Sequence, residues 1–294
     1  MRILLTGATG YVGRNLLSLL QKMGHEIVCV SRHPRLSEEN VTWVQGNLDD
    51  LPFLRRTMAG IDMAYYLVHA MEEKGDFSER DRLYATCFAK AAKERGVHRI
   101  IYLGGLGDDH QKLSKHLKSR HEVGDILRTS NIEVIEFRAS IIIGKGSFSF
   151  ELLKKLVERL PFMILPKWVH VHTQPISITD VIRYLTLALY LPVGESMTLE
   201  IGGKDVVTYG QLMQRYAHLK HLKRKMISVP FLTPFLSGLW IALVTPYHFR
   251  VGMKLVESLR CATVAHDIQA RLLFPFEPMG IEEALQKAIE PPAC

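Results

Sequence analysis

The stretch TGATGYVG, Thr6–Gly13, directly follows the apolar run Ile3–Leu5 and precedes apolar residues at helical spacing. This order predicts a strand, a tight turn and a helix. Its three glycines allow the turn itself, the approach of a pyrophosphate to the backbone, and close packing of the helix on the strand. The stretch therefore predicts a dinucleotide-binding turn, and an ordinary glycine-rich turn is the alternative. The residues expected to contact the cofactor are Gly7, Thr9, Gly10, Tyr11, Val12 and Gly13.

Strand and helix continue to alternate after this turn. Glu26–Val30 completes a first βαβ unit. Further strands are predicted at 42–44, 63–68, 99–103 and 134–137, and further helices at 51–58, 80–95 and 114–128. Strands that are apolar throughout are typical of a parallel sheet covered by helices on both faces. The predicted fold class is therefore α/β, a doubly wound parallel sheet of the Rossmann type with a smaller, mostly helical C-terminal lobe.

The alternation of strand and helix stops after Gly144, which places the predicted domain boundary. Residues 1–145 are expected to form the dinucleotide-binding domain, completed by a returning strand and helix at 174–190. Residues 146–294 are expected to form most of a second lobe that binds the substrate or a partner. Within this lobe, Thr208–Gln211 (TYGQ) predicts a capping box at the start of a helix.

The composition excludes several classes of protein. Of the 294 residues, 47% are hydrophobic and 23% are charged, which excludes intrinsic disorder, a collagen and a disulfide-rich miniprotein. The 37 Lys and Arg residues outnumber the 30 Asp and Glu residues, so the formal net charge is +7. A moderate positive excess predicts an anionic partner, which is a phosphorylated cofactor, a nucleic acid or an anionic membrane surface.

Cysteine spacing and the N-terminal residues bear on the cellular compartment. The 4 cysteines are far apart and form no Cys-x-x-Cys pair, so the sequence predicts no metal site and favours free thiols in a reducing compartment. The apolar run at the N-terminus is too short for a signal peptide. We therefore expect a cytoplasmic protein.

The residues after the second strand bear on the choice of dinucleotide. A protein that prefers NAD usually carries Asp or Glu there, which accepts a hydrogen bond from the ribose 2′-hydroxyl. This chain instead has Ser31, Arg32 and His33, with Arg35 close by. A guanidinium suits a 2′-phosphate both in charge and in bidentate geometry. The sequence therefore predicts NADP (NADPH) as the cofactor, bound by Ser31 and Arg32; the alternative is that Arg32 is a solvated loop residue.

Further motifs follow the glycine turn in a fixed order. They are Gly46–Leu48, YYLVHA at Tyr65–Ala70, RIIYLGGLG at Arg99–Gly107, Glu122, IEFRASIIIG at Ile135–Gly144 and QPISITDV at Gln174–Val181. The series spans roughly the first 190 residues and resembles the short-chain dehydrogenase/reductase superfamily, in its atypical NmrA-like and complex I accessory-subunit-like branch. The resemblance implies a nucleotide-binding oxidoreductase fold.

The resemblance also implies cofactor contacts at particular positions. These are Asn47 and Leu48 at the adenine ring, Leu67, Val68 and His69 at the cofactor ribose, and Leu103 and Gly104 at the end of the fifth strand. Asn47 replaces the Asp that is usual in the family, so the adenine contact is similar rather than identical. Active reductases of this type usually carry Ser at the end of the fifth strand, where this chain has Leu103, Gly104 and Gly105.

The Tyr-x-x-x-Lys pattern that is catalytic in this superfamily is missing. When Glu122 sets the register, the Tyr and Lys positions fall on Ser114 and Lys118. Lys118 retains a side chain that can bind the nicotinamide ribose. A serine hydroxyl, however, is far too weak an acid to replace a phenol. The usual proton relay is therefore expected to be absent.

Histidines that border the expected nicotinamide pocket are candidates to supply the proton instead. An imidazole is a competent general acid near neutral pH. His69 is favoured because it directly follows the fourth strand, and His110 and His116 are the other candidates. The predicted catalytic residues are therefore His69, Lys118 and His116; the alternative is that these histidines are surface or packing residues.

Two hypotheses about function follow. The first is an NADP(H)-dependent reductase whose small-molecule substrate is apolar or quinone-like. The second is a non-catalytic protein that senses NADP(H) or stabilises a complex, which agrees with the missing Ser and Tyr.

A segment in the last third of the chain bears on membrane contact. Residues 226–249 contain no charged side chain, and they lie between the cations of 220–225 and those at Arg250 and Lys254. Three prolines leave too short a helix to cross a bilayer. An apolar segment flanked by cations predicts peripheral membrane contact, and a buried helical hairpin is the alternative. No nucleic-acid-binding motif accompanies the cations, so no nucleic-acid partner is expected. The oligomeric state is left open.

Overall fold

The structure is a computed structural model that describes residues 1–72, 75–108, 113–192, 194–228 and 260–290. Its strands are β1 (Arg2–Thr6), β2 (Glu26–Ser31), β3 (Val41–Gln45), β4 (Met63–Tyr66), β5 (Arg99–Gly105), β6 (Glu133–Ala139), β7 (Ile142–Ile143), β8 (Phe162–Leu165), β9 (His172–Thr173), β10 (Ile176–Ser177), β11 (Met197–Ile201), β12 (Val207–Thr208) and β13 (Lys225–Ser228). Its helices are α1 (Tyr11–Lys22), α2 (Leu51–Thr57), α3 (Phe77–Arg95), α4 (Lys115–Arg128), α5 (Phe148–Arg159), α6 (Ile178–Leu187), α7 (Tyr209–Leu219), α8 (Gln269–Leu273) and α9 (Ile281–Ile289).

Seven strands form one sheet in the order β11-β6-β5-β4-β1-β2-β3. The pairs β1–β2, β1–β4, β2–β3 and β4–β5 are parallel. The order reverses at β1, and open α/β sheets bind ligands beyond the carboxyl ends of their strands at such a switch point. The predicted fold class, a doubly wound α/β sheet of the Rossmann type, is confirmed.

Continuous burial explains why these segments form a covered sheet. Ile3, Leu4 and Leu5 of β1 are fully buried although they point alternately to the two faces. On α1, Leu16 and Leu20 are fully buried and lie four residues apart, on one face of the helix. Strands that are apolar on both faces require helices on both sides, which the alternating sequence supplies.

The chain divides into two compact units. The first contains residues 1–105, 118–138 and 182–199, and the second contains 106–117, 139–181 and the described residues from 200 onward. Helices α4 and α6 each contribute residues to both units. The division of the chain into domains at 145, with a return at 174–190, stays a prediction.

A buried ion pair joins distant parts of the first unit. Arg99, at the start of β5, is fully buried, and its Nε lies 2.7 Å from a carboxylate oxygen of Glu133 at the start of β6. Its two terminal nitrogens donate to the backbone oxygens of Ala188 at 2.7 Å, Leu191 at 2.9 Å and Pro192 at 3.0 Å. One guanidinium thus holds together two strands and the segment that follows α6.

The described residues of the second unit form helices and three small sheets of two strands each. The strand pairs are β7–β10, β9–β12 and β8–β13. Thr208 and Gln211 form the predicted capping box at the start of α7. β10 and α6 lie within the predicted returning strand and helix at 174–190, whereas the other strands of two to four residues in this unit, and the helices α8 and α9, were not predicted individually. Strands this short carry too few residues to show an alternating pattern.

Two predictions concern residues that the structure does not describe. Of the apolar segment 226–249, the structure describes only 226–228, and Arg250, Lys254 and His110 also lie outside the described residues. Within the residues that are described, no helix is both long enough and apolar enough to cross a membrane.

Candidate functional site

The turn between β1 and α1 depends on two close backbone contacts. Gly7 has a φ of +75°, and a Cβ atom at this position would lie 2.5 Å from the backbone oxygen of Leu67. A Cβ atom at Gly13 would lie 2.1 Å from the backbone oxygen of Gly7. Either side chain would force the turn, the helix and the end of β4 apart. These two glycines therefore build the turn.

Gly10, the remaining glycine of the motif, has a different environment from Gly7 and Gly13. It is the N-cap of α1, with a φ of −74° that any residue can adopt. Within the part of the chain that the structure describes, a Cβ atom there would meet only the Gly7 oxygen, at 3.2 Å. The N-terminus of α1 has no side-chain cap among the described residues and no acidic residue in its first turn. Exposed N–H groups at such a helix start suit a pyrophosphate, so the turn fits a dinucleotide. The other predicted contacts are the exposed Thr9 and the half-buried Tyr11 and Val12.

The end of β2 presents the residues predicted to select the cofactor. Ser31 is buried, and its hydroxyl accepts a hydrogen bond from the His33 backbone N–H at 3.2 Å. Arg32 is exposed, and its backbone oxygen accepts from the Gln45 side chain at 3.2 Å. The Arg35 guanidinium lies 5.1 Å from the centre of the Trp43 ring. Two cationic side chains thus follow β2, and no carboxylate stands between them in the sequence.

The two residues predicted to contact the adenine ring of the cofactor differ in accessibility. Asn47 is half-buried, and its Oδ1 accepts a hydrogen bond from the Leu48 backbone N–H at 2.9 Å. Leu48 is buried and packs in the hydrophobic core of the first unit. Asn47 is therefore the member of this pair whose side chain a ligand can reach.

His69 lies just beyond the end of β4, within the half-buried run Leu67–His69. Its Nδ1 is 2.9 Å from an oxygen of Asp81 on α3, and the two side chains are 18% and 2% exposed. The Asp81 carboxylate also accepts hydrogen bonds from the Ala70 backbone N–H at 2.8 Å and from the Ser119 hydroxyl at 2.9 Å. The rings of His69 and Phe77 lie nearly perpendicular to each other, with centroids 6.2 Å apart.

The surroundings of Asp81 keep its carboxyl group ionised. Burial raises the pKa of this carboxyl group. The hydrogen bond and charge of His69, the Ala70 N–H and the Arg120 guanidinium outweigh the effect of burial, so the pKa lies below its usual range. A carboxylate that accepts from Nδ1 places the neutral imidazole in the form with its proton on Nδ1 and its lone pair on Nε2.

Helix α4 faces the strand ends with residues that the sequence analysis missed. Arg120 is buried and donates to the backbone oxygens of Leu103 and, at 3.4 Å, Val68, and it lies 5.0 Å from the centre of the Tyr102 ring. His121 is also buried, and its Nε2 lies 2.9 Å from the Gly105 backbone oxygen. These contacts tie α4 to the carboxyl ends of β4 and β5. Helical periodicity combined with the strand-end positions was the signal that could have found them.

The predicted catalytic positions on α4 have different surroundings. Lys118 is exposed, whereas the three residues that follow it are buried. The Ser114 hydroxyl accepts from the Leu117 backbone N–H at 3.2 Å, as a helix-capping residue does. His116 is half-buried and precedes Arg120 by four residues, which is the spacing of the missing Tyr and Lys. The side chains of α4 that reach the strand ends are thus those of Arg120 and His121 rather than that of Lys118.

The end of β5 has no hydroxyl at the position where related reductases carry Ser. Leu103 is buried, and a Cβ atom at Gly104 would lie 2.9 Å from a carboxylate oxygen of Glu136. Glu136 is fully buried and pairs with Arg128 at 2.7 Å and Arg138 at 2.9 Å. Gly104 therefore leaves room for this ion pair. No group of three or more His, Cys, Asp or Glu side chains suited to a metal ion occurs among the described residues.

Comparisons by sequence identify related proteins. The profile of the NmrA-like family matches residues 1–151, just over half of the 294-residue chain. NADH dehydrogenase (ubiquinone) 1 alpha subcomplex subunit 9, mitochondrial, of Arabidopsis thaliana is 26% identical over 239 residues, which cover 76% of this chain and 59% of that protein. Ceramide reductase of Caulobacter vibrioides is 27% identical over 236 residues, which cover 78% of this chain and 73% of that protein. The match thus spans less than two thirds of the Arabidopsis protein.

Comparisons of structure show the same fold in proteins of low sequence identity. MoeE5 in complex with UDP-glucose and NAD superposes with a TM-score of 0.75 and 18% identity, covering 98% of this chain and 97% of that chain. Triphenylmethane reductase of Citrobacter sp., complexed with NADP(H), has a TM-score of 0.75 and 15% identity, covering 98% of this chain and 100% of that chain. At these identities the likeness shows the fold alone.

Proposed function

The chain belongs to the NmrA-like family, and from this membership we propose that it is a reductase that uses NADP(H) and acts on an apolar or quinone-like small molecule. The observation that carries the proposal is the glycine turn before α1, where Gly10 leaves the uncapped helix N-terminus open to a pyrophosphate. A bound NADPH supplies a hydride, and the residues of the chain orient it and deliver the proton. Structural neighbours described with NAD and with NADP(H) support a nicotinamide dinucleotide as the cofactor.

Two relatives support the proposed substrate class. They are described as a subunit of NADH dehydrogenase (ubiquinone) and as a ceramide reductase, and ubiquinone and ceramide are both largely apolar molecules. Steady-state oxidation of NADPH by the purified full chain, with a panel of quinones and long-chain carbonyl compounds, tests the proposal. We expect turnover with at least one member. A rate equal to the substrate-free rate with every member would contradict it.

A non-catalytic role in a complex is the second candidate function. One observation favours it: a relative that matches 76% of this chain is a subunit of an NADH dehydrogenase. The missing Ser and Tyr agree with such a role. Tight NADPH binding without turnover, together with a protein that co-purifies in fixed stoichiometry, is the result that supports it, whereas steady-state turnover rejects it.

The preference for NADPH over NADH is expected to depend on Arg32. Replacing Arg32 with Asp removes the cation proposed to pair with the 2′-phosphate and supplies a carboxylate suited to the 2′-hydroxyl of NADH. Because a hydrogen bond to a charged group contributes about 1.5–3 kcal/mol, NADPH affinity should fall roughly 10- to 100-fold. Fluorescence titrations of the wild type and the variant with NADPH and NADH measure the change.

Arg56→Asp provides the control for Arg32→Asp. Arg56 is exposed on α2, so its replacement changes the net charge equally without altering the end of β2. We expect the affinities for both dinucleotides to remain unchanged in this variant. Equal affinity of the wild-type protein for NADPH and NADH would refute the role proposed for Arg32.

A corner of the second unit combines apolar and cationic side chains. Phe162 on β8 and Ile227 on β13 are 62% and 56% exposed. Lys220, Lys223 and Lys225 are exposed in the segment that leads into β13, and the Lys225 Nζ lies 5.7 Å from the centre of the Phe162 ring. Lysines attract anionic headgroups, and apolar side chains beside them enter the lipid interface. We therefore propose that this corner makes peripheral contact with anionic lipid.

Reversing the three lysine charges is expected to abolish most of this contact. Because each cation near an anionic surface contributes about 1 kcal/mol, replacing Lys220, Lys223 and Lys225 with Glu should lower the vesicle-bound fraction at least about 10-fold. Co-sedimentation with phosphatidylserine-containing vesicles at low salt measures it, and phosphatidylcholine vesicles are the lipid control. The protein control replaces Lys90, Lys93 and Arg95, which are exposed on α3, with Glu. Equal losses in the two variants, or no binding by the wild type, would reject the proposal.

A further inference from the structure

We propose that Arg120 is a positioning residue, which holds the chain after β4 in place on the nicotinamide side of the cofactor site. This inference rests on the proposed function, and it gives α4 a role that does not need the missing Tyr and Lys. In folds of this type the dinucleotide lies across the point where the strand order reverses, with one nucleotide on each side. Because β2 and β3 form the side with the proposed 2′-phosphate contacts, β4 and β5 form the nicotinamide side.

Arg120 joins β5 to the chain after β4 just past the end of the ladder between these strands. The last paired residues of that ladder are Tyr66 and Tyr102. Arg120 donates to the backbone oxygens of Val68, at 3.4 Å, and of Leu103, which lie two residues and one residue beyond the last pair. The guanidinium therefore bridges the two strands at the point where their own hydrogen bonds stop.

The chain that Arg120 holds is also in contact with the glycine turn. A Cβ atom at Gly7 would lie 2.5 Å from the backbone oxygen of Leu67, the residue before Val68. Because β4 lies between β1 and β5 in the sheet, the chain after β4 has the glycine turn on one side and the guanidinium on the other. Loss of the guanidinium would leave this chain supported by the glycine turn alone.

Tyr102 on β5 holds Arg120 in place through two contacts. Its phenol is fully buried and donates to the Arg120 backbone oxygen at 2.8 Å. The guanidinium lies 5.0 Å from the centre of the same ring. Arg120 is itself buried, so its backbone and its guanidinium are both fixed against β5. A planar fork of donors that is fixed in this way can set the distance between two carbonyl oxygens.

Asp81 on α3 supplies a negative charge that acts on this buried cation. Burial raises the pKa of the Asp81 carboxyl group, whereas His69, the Ala70 N–H and the guanidinium lower it below its usual range. The carboxyl group therefore stays ionised. A buried cation is costly unless an opposite charge compensates it. The charge on α3 thus permits an arginine, which can bridge two strands, at a buried position of α4.

Arg120→Met removes the bridge and keeps an unbranched side chain at this position. Because the loosened chain must be ordered again whenever the cofactor binds, the NADPH Kd should rise about 10-fold or more. Adenosine 2′,5′-bisphosphate lacks the nicotinamide half, so its Kd should change by less than about twofold. Arg120→Lys keeps the charge but loses the planar fork, and its NADPH Kd should lie between those of the wild type and Arg120→Met. Titration calorimetry measures both ligands.

Amide hydrogen exchange of the full chain tests the bridge without any ligand. In Arg120→Met, the amides of 67–70 should exchange faster relative to those of β2 than they do in the wild type. Arg99→Met is the matched control, because Arg99 is also a buried arginine of β5 that donates to backbone oxygens, but at the other end of the strand. We expect this control to leave both the relative exchange at 67–70 and the ratio of the two ligand affinities unchanged.

The outcomes separate this inference from the reductase proposal. A wild type that binds NADPH without turning over any substrate rejects the reductase and leaves the bridge testable by binding and exchange. Equal weakening of both ligands in Arg120→Met overturns the inference, and so does unchanged exchange at 67–70. A wild type that binds neither ligand rejects both proposals. If Arg120→Met fails to fold, Arg120→Lys gives the same comparison with smaller expected effects.

Discussion

Replacing Arg99 with methionine is expected to lower the free energy of unfolding by about 3–5 kcal/mol, because it leaves a buried carboxylate without its partner. Glu133 is 3% exposed on its side chain, and Arg99 is its ion-pair partner at 2.7 Å. The same substitution removes the donor to three backbone oxygens, those of Ala188, Leu191 and Pro192. Methionine fills a similar volume, so the loss is one of charge pairing and hydrogen bonding rather than of packing. Urea unfolding followed by circular dichroism measures the change.

Arg55→Met is the matched control for this substitution. Arg55 pairs with Glu94 at 2.5 Å in the same unit, but the two side chains are 37% and 35% exposed. Solvent solvates the partner that is left behind, so we expect the unfolding midpoint to stay within experimental error. Equal losses in Arg99→Met and Arg55→Met would show that burial does not govern the contribution of these pairs. Glu133→Gln, which keeps the shape and removes the charge, is expected to give a smaller loss than Arg99→Met.

Local pattern predicted the sheet but not the contacts of Arg99. Six of the seven strands in the large sheet were found because each is a short apolar run beside a turn or a helix signal, whereas β11 was not predicted. The partners of Arg99 lie 34 to 93 residues away in sequence. Among these partners are backbone oxygens, which no residue type marks. The sequence shows an arginine beside an apolar strand. Its partners, however, become apparent only when the fold brings the segment after α6 next to it.

The candidate site, like the fold, could be predicted only where a local sequence motif marks it. The glycine turn is a local motif, so the residues that build it were identified by spacing. The position of His69 after the fourth strand was also identified. Asp81 was not, because it lies among the charged residues at the start of α3, and only its burial separates it from them. Arg120 was missed because the register was set from Glu122, which pairs with Arg82 on α3 at 2.6 Å, away from the strand ends.

Gly13→Ala is expected to lower stability and Gly10→Ala to leave it unchanged, although both glycines occur in one eight-residue motif. At Gly13 a Cβ atom would lie 2.1 Å from the Gly7 oxygen and 2.8 Å from the Ala8 Cα atom, so α1 must move away from the turn. Overpacking of this kind costs about 1–3 kcal/mol of unfolding free energy, and dinucleotide binding should be lost with it. At Gly10 the one neighbour of the new Cβ atom among the described residues is the Gly7 oxygen at 3.2 Å, and the backbone there is extended.

Gly10→Ala should therefore fold normally and still fail to bind the cofactor tightly. The added methyl group would occupy the space through which a pyrophosphate reaches the N–H groups of α1. Loss of one or two charge-assisted hydrogen bonds amounts to about 3 kcal/mol, so the NADPH Kd should rise roughly 100-fold while the unfolding midpoint stays the same. Gly194→Ala is the control, because the nearest described atom to a Cβ at this exposed glycine would be the Pro192 oxygen, at 4.0 Å. If Gly10→Ala bound NADPH as tightly as Gly194→Ala, the pyrophosphate would not lie on this turn, and the central observation of the proposed function would fail.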